Sequence, residues 1–402
     1  MDLFTPGKIG NLELRNRSIR AAAFEGMCPG HAAGDSLLSY HQSVAKGGIG
    51  MTTIAYAAVN RMGLSFQHQL WLREEAVPGL RRVTDAIHAE GAAASIQIGH
   101  CGLMAKRSIA GGRPLSSTGG FNLYGPTFPV AMKENQILET VEDFSRAVNL
   151  ARDSGFDAIE VHAGHGYLIS QFLSPFLNKR KDRWGGSFEN RSRFMREVMI
   201  KVKKEAGNDI AVLVKMNMRD GIKGGIGLDE GIRTAVLLEE LGADALVLSG
   251  GLVSRTPMYV MRGKMPTTVM GHFIKNPFMS MGVRLFGDML MKPEPFRELY
   301  FLEDAVEVRK QVKLPLVYVG GVASGEAVTK VLDAGFEFVA MARALVHDPG
   351  FILKLKDEKT AESGCLHSNY CIAVMYSGEM ACFQDDPSIP EKWKKSLGAS
   401  AT

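Results

Sequence analysis

A chain of 402 residues with 46% apolar and 22% charged residues has the make-up of a folded globular protein, which excludes disordered and fibrous chains. Lysine and arginine exceed the acids by only 47 to 43, so the charge balance gives no reason to expect nucleic acid or an anionic membrane as partner. Charges and Pro6 interrupt the N-terminal segment, no window approaches the roughly eighteen apolar residues of a membrane span, and five cysteines without a dense spacing suit a reducing compartment; a cytoplasmic protein is expected.

Short apolar runs alternate with amphipathic stretches along the chain. Strands are expected at residues 18–23, 49–56, 92–98, 157–162, 210–216, 245–249, 316–320 and 338–341. Helices are expected at 36–46, 74–90, 139–154, 188–206, 229–241, 296–312, 325–334 and 348–356. Gly91, Gly155, Gly242 and Gly335 each stand at a helix end shortly before a strand, where glycine caps a helix. Eight such units predict a single-domain α/β protein, a (β/α)8 TIM barrel over residues 1–360, since a doubly wound open sheet would show fewer units and an early glycine fingerprint. Residues 361–402 are expected as an irregular tail, carrying a cysteine cluster, packed on the barrel. The connections after the third and sixth strands, 99–138 and 251–295, have the length of lids or binding elements, and the second is rich in Met and Gly with little clear period.

Three proton-bearing groups, His162, His165 and Tyr167, follow the fourth strand directly. In a barrel that carboxyl end is where chemistry happens. The i, i+3 spacing of the two histidines also permits a metal pair, but no acidic or third histidine partner stands at a matching strand end, and no metal is expected. Lys215 lies inside an apolar strand and therefore needs a partner, unless it snorkels to the surface. The seventh strand ends in Gly320-Gly321, and Ala342-Arg343 follows the eighth. Barrels often bind phosphate at these two loops, because glycine lets backbone N–H groups approach an anion and arginine adds a charge-assisted bond; a plain tight turn and a surface arginine is the other reading.

With these residues, HAGHGYLISQFLSP and the following WGGSFENRSRF, the chain resembles the old yellow enzyme family of flavin-dependent oxidoreductases from Leu3-Phe4-Thr5-Pro6 to Asp348-Pro349. It is similar to the barrel domain of 2,4-dienoyl-CoA reductase. The resemblance implies non-covalently held FMN, NADH or NADPH as electron donor, and reduction of the activated C=C bond of an α,β-unsaturated carbonyl compound by a ping-pong mechanism. It implies that His162 and His165 bond the carbonyl oxygen and that Tyr167 protonates the α-carbon. Gln97 then bonds the flavin pyrimidine, and Lys215 faces the N1/O2 side of the ring, where many members carry arginine. Gly320, Gly321, Ala342 and Arg343 hold the phosphate, and Tyr56 lies near the flavin.

The match is imperfect after the first strand. Where many relatives place a proline and then threonine or cysteine, this chain has Ala22, Ala23 and Phe24, so backbone groups there carry the flavin contact. The block around Trp184 is diagnostic but structural, with Ser187 as a helix N-cap. Cys365, Cys371 and Cys382 resemble the four-cysteine segment that holds a [4Fe–4S] cluster in larger relatives; Ser368 stands at the fourth position, so a vestigial segment is expected rather than a working cluster. The expected partners are a small-molecule unsaturated carbonyl substrate and NAD(P)H, with no nucleic acid, no membrane, and a homo-oligomer left open. Two other functions stay open: a flavin-dependent dehydrogenase of an amine-type substrate that passes electrons to a partner, and a barrel lyase or isomerase that binds a phosphorylated substrate at Gly320, Gly321 and Arg343.

Overall fold

The computed structural model describes residues 1–122, 127–274, 276–376 and 378–384. The chain begins with an antiparallel hairpin of β1 (Gly7–Ile9) and β2 (Leu12–Leu14). Its Ile9 and Leu14 are buried against Ala158, Ala211, Ala245 and Phe338, residues that begin later strands. The hairpin thus closes the amino end of the sheet and leaves access to the interior at the other end.

The apolar runs then pair as strands: β3 (Ser18–Arg20), β4 (Met51–Ala58) and β5 (Ala93–Gly99). A short pair outside the main sheet follows, β6 (Leu115–Ser116) and β7 (Val130–Ala131). The remaining strands are β8 (Ala158–Ala163), β9 (Ala211–Asn217), β10 (Ala245–Ser249), β11 (Leu316–Val319) and β12 (Phe338–Met341). Eight parallel strands close in the order β3-β4-β5-β8-β9-β10-β11-β12, with helices between them, so the expected (β/α)8 barrel is present.

Several boundaries differ from the sequence expectation, each for a local reason. The first barrel strand stops at Arg20 rather than at residue 23, because Arg20 and Glu25 form a buried ion pair at 2.7 Å that folds 21–25 back on the barrel. Glu25 also accepts the Ala55 N–H at 3.1 Å, exactly where the β4–β5 register shifts between Ile54 and Ala57. The helix expected over 139–154 begins earlier, as Glu134–Asp153, where Gln136 Oε1 accepts the Lys133 N–H at 2.9 Å. The helix expected over 296–312 shrinks to Leu302–Arg309, since Leu299 has φ 56° and Tyr300 and Phe301 pack beside Gly320. The helix expected over 348–356 starts later, as Phe351–Asp357, and a short helix that the sequence reading did not give, Arg343–His347, precedes it.

The connection after β10 is not irregular. It holds helices Pro257–Met261, Thr267–Phe273 and Pro277–Leu290. Ser187 does cap its helix, accepting the Asn190 N–H at 3.4 Å, and Arg180 of the same block donates to the carbonyls of Ser117 and Met132. No helix among the described residues is long and apolar enough to cross a membrane. Residues 361–376 and 378–384 run over the barrel, where Met380 N donates to Glu25 O at 2.7 Å, while 377 and 385–402 lie outside the described residues.

Candidate active site

Strand register places the polar side chains of the barrel interior. Gln97 on β5 is the direct partner of Glu160 on β8, and Lys215 on β9 is the partner of His162. Side chains two apart on a strand share a face, so Glu160 and His162 point the same way. Gln97 Nε2 donates to Glu160 Oε1 at 2.6 Å, and Lys215 Nζ reaches the same oxygen at 2.8 Å. All three are buried. Lys215 is therefore an interior cation with a carboxylate partner rather than a surface one, and it also donates to the Ala22 carbonyl at 3.4 Å.

Glu160 is the residue that sequence reading missed. The signal was there: an acid inside the apolar run Ala-Ile-Glu-Val-His needs a buried donor. Among the described residues the Gln97 carbonyl oxygen takes no donor, and it remains an acceptor for a ring N–H.

Above this triad lie the three groups expected to act. The His162 and Tyr167 rings are 4.4 Å apart, His162 and His165 are 5.1 Å apart, and Tyr56 meets Tyr167 edge-on at 4.9 Å. Tyr56 is fixed by its hydroxyl, 3.0 Å from Ser65 Oγ and within reach of the Gly63 carbonyl. The Gly164 N–H donates to His162 Nδ1, a long bond of 3.4 Å that leaves the proton of a neutral ring on Nε2. His165 Nε2 is 2.7 Å from Ser249 Oγ, and the His165 N–H donates to Asn217 Oδ1 at 2.9 Å. Asn217 is held in turn by Asp220 and the Gly251 carbonyl. Ser249 and Asn217, unforeseen from sequence, are β10–β9 register partners at the ends of their strands.

Burial first, then the neighbouring positive charge of Lys215, keeps both imidazoles uncharged. His165 is pushed down to about 3, and His162, also disfavoured by His165, lies well below the ordinary histidine value.

The other end of the site lies beyond β11 and β12. Gly320 and Gly321 have φ of 149° and 76°, and a Cβ on Gly321 would stand 2.8 Å from the Arg297 carbonyl oxygen, so the close approach of backbone to backbone requires glycine. Ala342 accepts the N–H groups of Leu345 and Val346, which leaves the N–H groups of Arg343 and Ala344 at the free start of a short helical turn. Arg343 donates to Asn369 Oδ1 at 2.9 Å and lies over the Phe296 ring at 5.5 Å. Ala22 and Ala23 face inward by their carbonyls, toward Lys215 and Arg20, while Phe24 packs on Phe66 with ring centres 4.5 Å apart.

The five cysteines are free, and no group of three or more His, Cys, Asp or Glu side chains among the described residues could hold a metal ion. Burial pushes the Cys371 thiol up to about 12, and Cys382 Sγ lies 3.3 Å from His347 Nδ1. The arrangement as a whole offers hydrogen-bonding groups to the edge of a planar heterocycle at one end, free backbone donors and a cation to an anion at the other, and neutral donors between them.

Comparison with known proteins agrees with that arrangement. The model of the NADH:flavin oxidoreductase / NADH oxidase family matches residues 2–276. The chain is 40% identical over 392 residues to a 4,4'-dithiodibutanoate disulfide reductase of Rhodococcus erythropolis, covering 95% of both chains. It is 30% identical over 366 residues to an NADH oxidase of Thermoanaerobacter brockii, 90% of this chain but only 52% of that longer protein. Among solved structures, a 2-naphthoyl-CoA reductase superposes with a TM-score of 0.81 at 25% identity, over 97% of this chain and 58% of the other.

Proposed function

Because the chain belongs to the NADH:flavin oxidoreductase / NADH oxidase family of FMN-dependent, old yellow enzyme type oxidoreductases, we propose that it uses NAD(P)H to reduce the activated C=C bond of an α,β-unsaturated carbonyl compound. The observation that carries this reading is the cluster of two uncharged histidines and Tyr167, in which the His165 and Tyr167 rings lie 5.1 and 4.4 Å from the ring of His162. The residues fit FMN: the Gln97 oxygen and the remaining protons of Lys215 suit the ring edge, and Gly321, the Ala342–Arg343 turn and the Arg343 guanidinium suit the phosphate. Bound FMN supplies two-electron hydride chemistry.

The protein groups supply the rest. A neutral His162 presents Nε2–H, and His165, with Nε2 against Ser249, presents its other ring nitrogen, so both can donate to a carbonyl oxygen as negative charge gathers there. Tyr167 then delivers a proton to the α-carbon, since its phenol O–H is a donor within the cluster. The hairpin packs its apolar Ile9 and Leu14 against the strands at the amino end, away from these groups.

The relative at 40% identity favours a second reading, reduction of a disulfide. The same histidines would then face a departing thiolate, which is stable without a proton. Stopped-flow reoxidation of the Tyr167→Phe holoenzyme separates the readings. Reoxidation by an enone is expected to slow by about 100-fold, the usual scale of a lost general acid, while reoxidation by a disulfide and reduction by NAD(P)H change far less. Equal losses with every partner would contradict the proton-donor role.

A further inference from the structure

A groove of about 300 Å³ lies at the barrel mouth, bounded by the connection after β5, residues 176–179 and the turn after β10. Its inner wall includes Leu103 and Leu177, which pack in the same apolar cluster as Tyr56 and Tyr167, so the groove begins where the reacting groups end. Its outer part carries two cations, Lys179 and Arg255, with the Phe121 and Phe176 rings, and no carboxylate lines it among the described residues.

The two cations differ. Lys179 donates to the Pro175 carbonyl at 2.8 Å and lies over the Phe176 ring. Arg255 has no side-chain hydrogen bond or ion pair among the described residues, yet its backbone is firmly held. The Arg255 N–H donates to Leu252 O, Leu252 N donates to Thr256 Oγ1, and Thr256 Oγ1 donates to the Asp220 carbonyl at 3.0 Å. Val253 N donates to the His165 carbonyl, which ties this turn to the catalytic loop. Beside Arg255, the buried Ser254 hydroxyl has no hydrogen-bond partner among the described residues. An unpaired guanidinium on an anchored turn, with an unused hydroxyl next to it and apolar walls leading inward, suits one ligand chemistry: an anion on a short apolar chain.

We propose that this groove is a specificity subsite in which Arg255, aided by Ser254 and Lys179, binds the carboxylate of an acceptor substrate whose reducible bond lies at Tyr167. The inference rests on the proposed reductase function and names its substrate class, a carboxylic acid with the reducible group a few atoms away. The phosphates of NAD(P)H offer the same anionic chemistry, and the test tells the two sources apart.

Holoenzyme and its Arg255→Gln variant are to be compared on an unsaturated keto acid and on its methyl ester, with the dissociation constants of NADH and NADPH read from the concentration dependence of flavin bleaching. The ratio of kcat/KM for acid over ester is expected to fall about 10-fold in the variant. The wild-type ratio should shrink with added salt, because an exposed cation is screened within about 10 Å at 0.1 M. Arg255→Lys should recover part of the ratio, and Lys179→Gln should lower it less. An unchanged ratio, or a loss confined to NADH or NADPH binding, overturns the proposal. Calorimetric titration of both proteins with 4-phenylbutanoate and its methyl ester needs no turnover, so it judges the groove even if neither acceptor is reduced: weaker binding of the acid alone in Arg255→Gln supports the subsite, and equal affinities sink it.

Discussion

At the β5–β8–β9 end of the site Gln97, Glu160 and Lys215 bond one another from three neighbouring strands, whereas at the β11–β12 end Arg343 finds its partner outside the barrel, in Asn369 of the tail. The first end is set by ladder register, which pairs Gln97 with Glu160 directly. The second is set by loops: Asn369 is itself held by the carbonyls of Arg262 and Lys264, and Gly321 is pressed by Arg297 and Tyr300. Charges buried in register are expected to govern the stability of the barrel, and a charge held from a loop to govern affinity for the cofactor's anionic end. Mutation can break that division at either end.

The largest effect is expected from Lys215→Met. It leaves Glu160 buried with only Gln97 as partner, and removal of one member of a buried ion pair destabilises by about 3–5 kcal/mol. Urea unfolding of the FMN-free protein measures it. Adding Glu160→Gln to Lys215→Met should recover most of the loss, because the orphaned charge is gone. A loss below about 1 kcal/mol would show that register does not make this pair a structural element.

A smaller effect, of a different kind, is expected from Arg343→Gln. Its guanidinium is only partly buried and makes one side-chain bond, so unfolding stability should move by less than about 1 kcal/mol. Affinity for FMN should fall about 10-fold, the equivalent of about 1.4 kcal/mol, as read by fluorescence titration of the apoprotein. If the unfolding loss instead matched that of Lys215→Met, the contrast between the two ends would vanish.

The same contrast explains what could be read from the chain. The barrel was legible because each strand is a short apolar run ahead of a helix, and His162, His165 and Tyr167 were legible because they crowd one strand end. The partners of these residues were not. Ser249 pairs with His165 across 84 positions, and Glu160 meets Lys215 only through strand order, which no local pattern encodes. Arg20 and Glu25 were hidden similarly, since their buried pairing and the nearby His41 depend on β3 and β4 lying side by side. The helix Pro277–Leu290 escaped for another reason. Its start, Asn276 capping the Met279 N–H and Pro277 at the first position, was readable, but Phe278, Met281, Leu285 and Met289 face outward, so its apolar side does not mark a core.

A third effect concerns the histidines between the two ends, and its sign follows from burial. His162 and His165 titrate below the value near ~6.5 that they have in the unfolded chain, and His165 does so at about 3. Between those limits the unfolded state binds more protons, so their neutral burial favours folding above pH ~6.5 and this contribution is lost as pH falls toward the folded values. Stability should be level from pH 7 to 8 and drop below pH ~6.5 by about 1 kcal/mol per pH unit for each such histidine. His100, pushed down to about 3 by burial, adds to the slope in the same direction. His165→Gln should remove one histidine's share, measured by urea unfolding at pH 7 and 5. In the wild-type enzyme the oxidative half-reaction should show no inflection between pH 6 and 8, because rings that stay neutral over that range give donors of constant number. A rate inflection near pH 6.5 would mean that one imidazole is wet enough to charge, and that the site is held less tightly than the ladder beneath it.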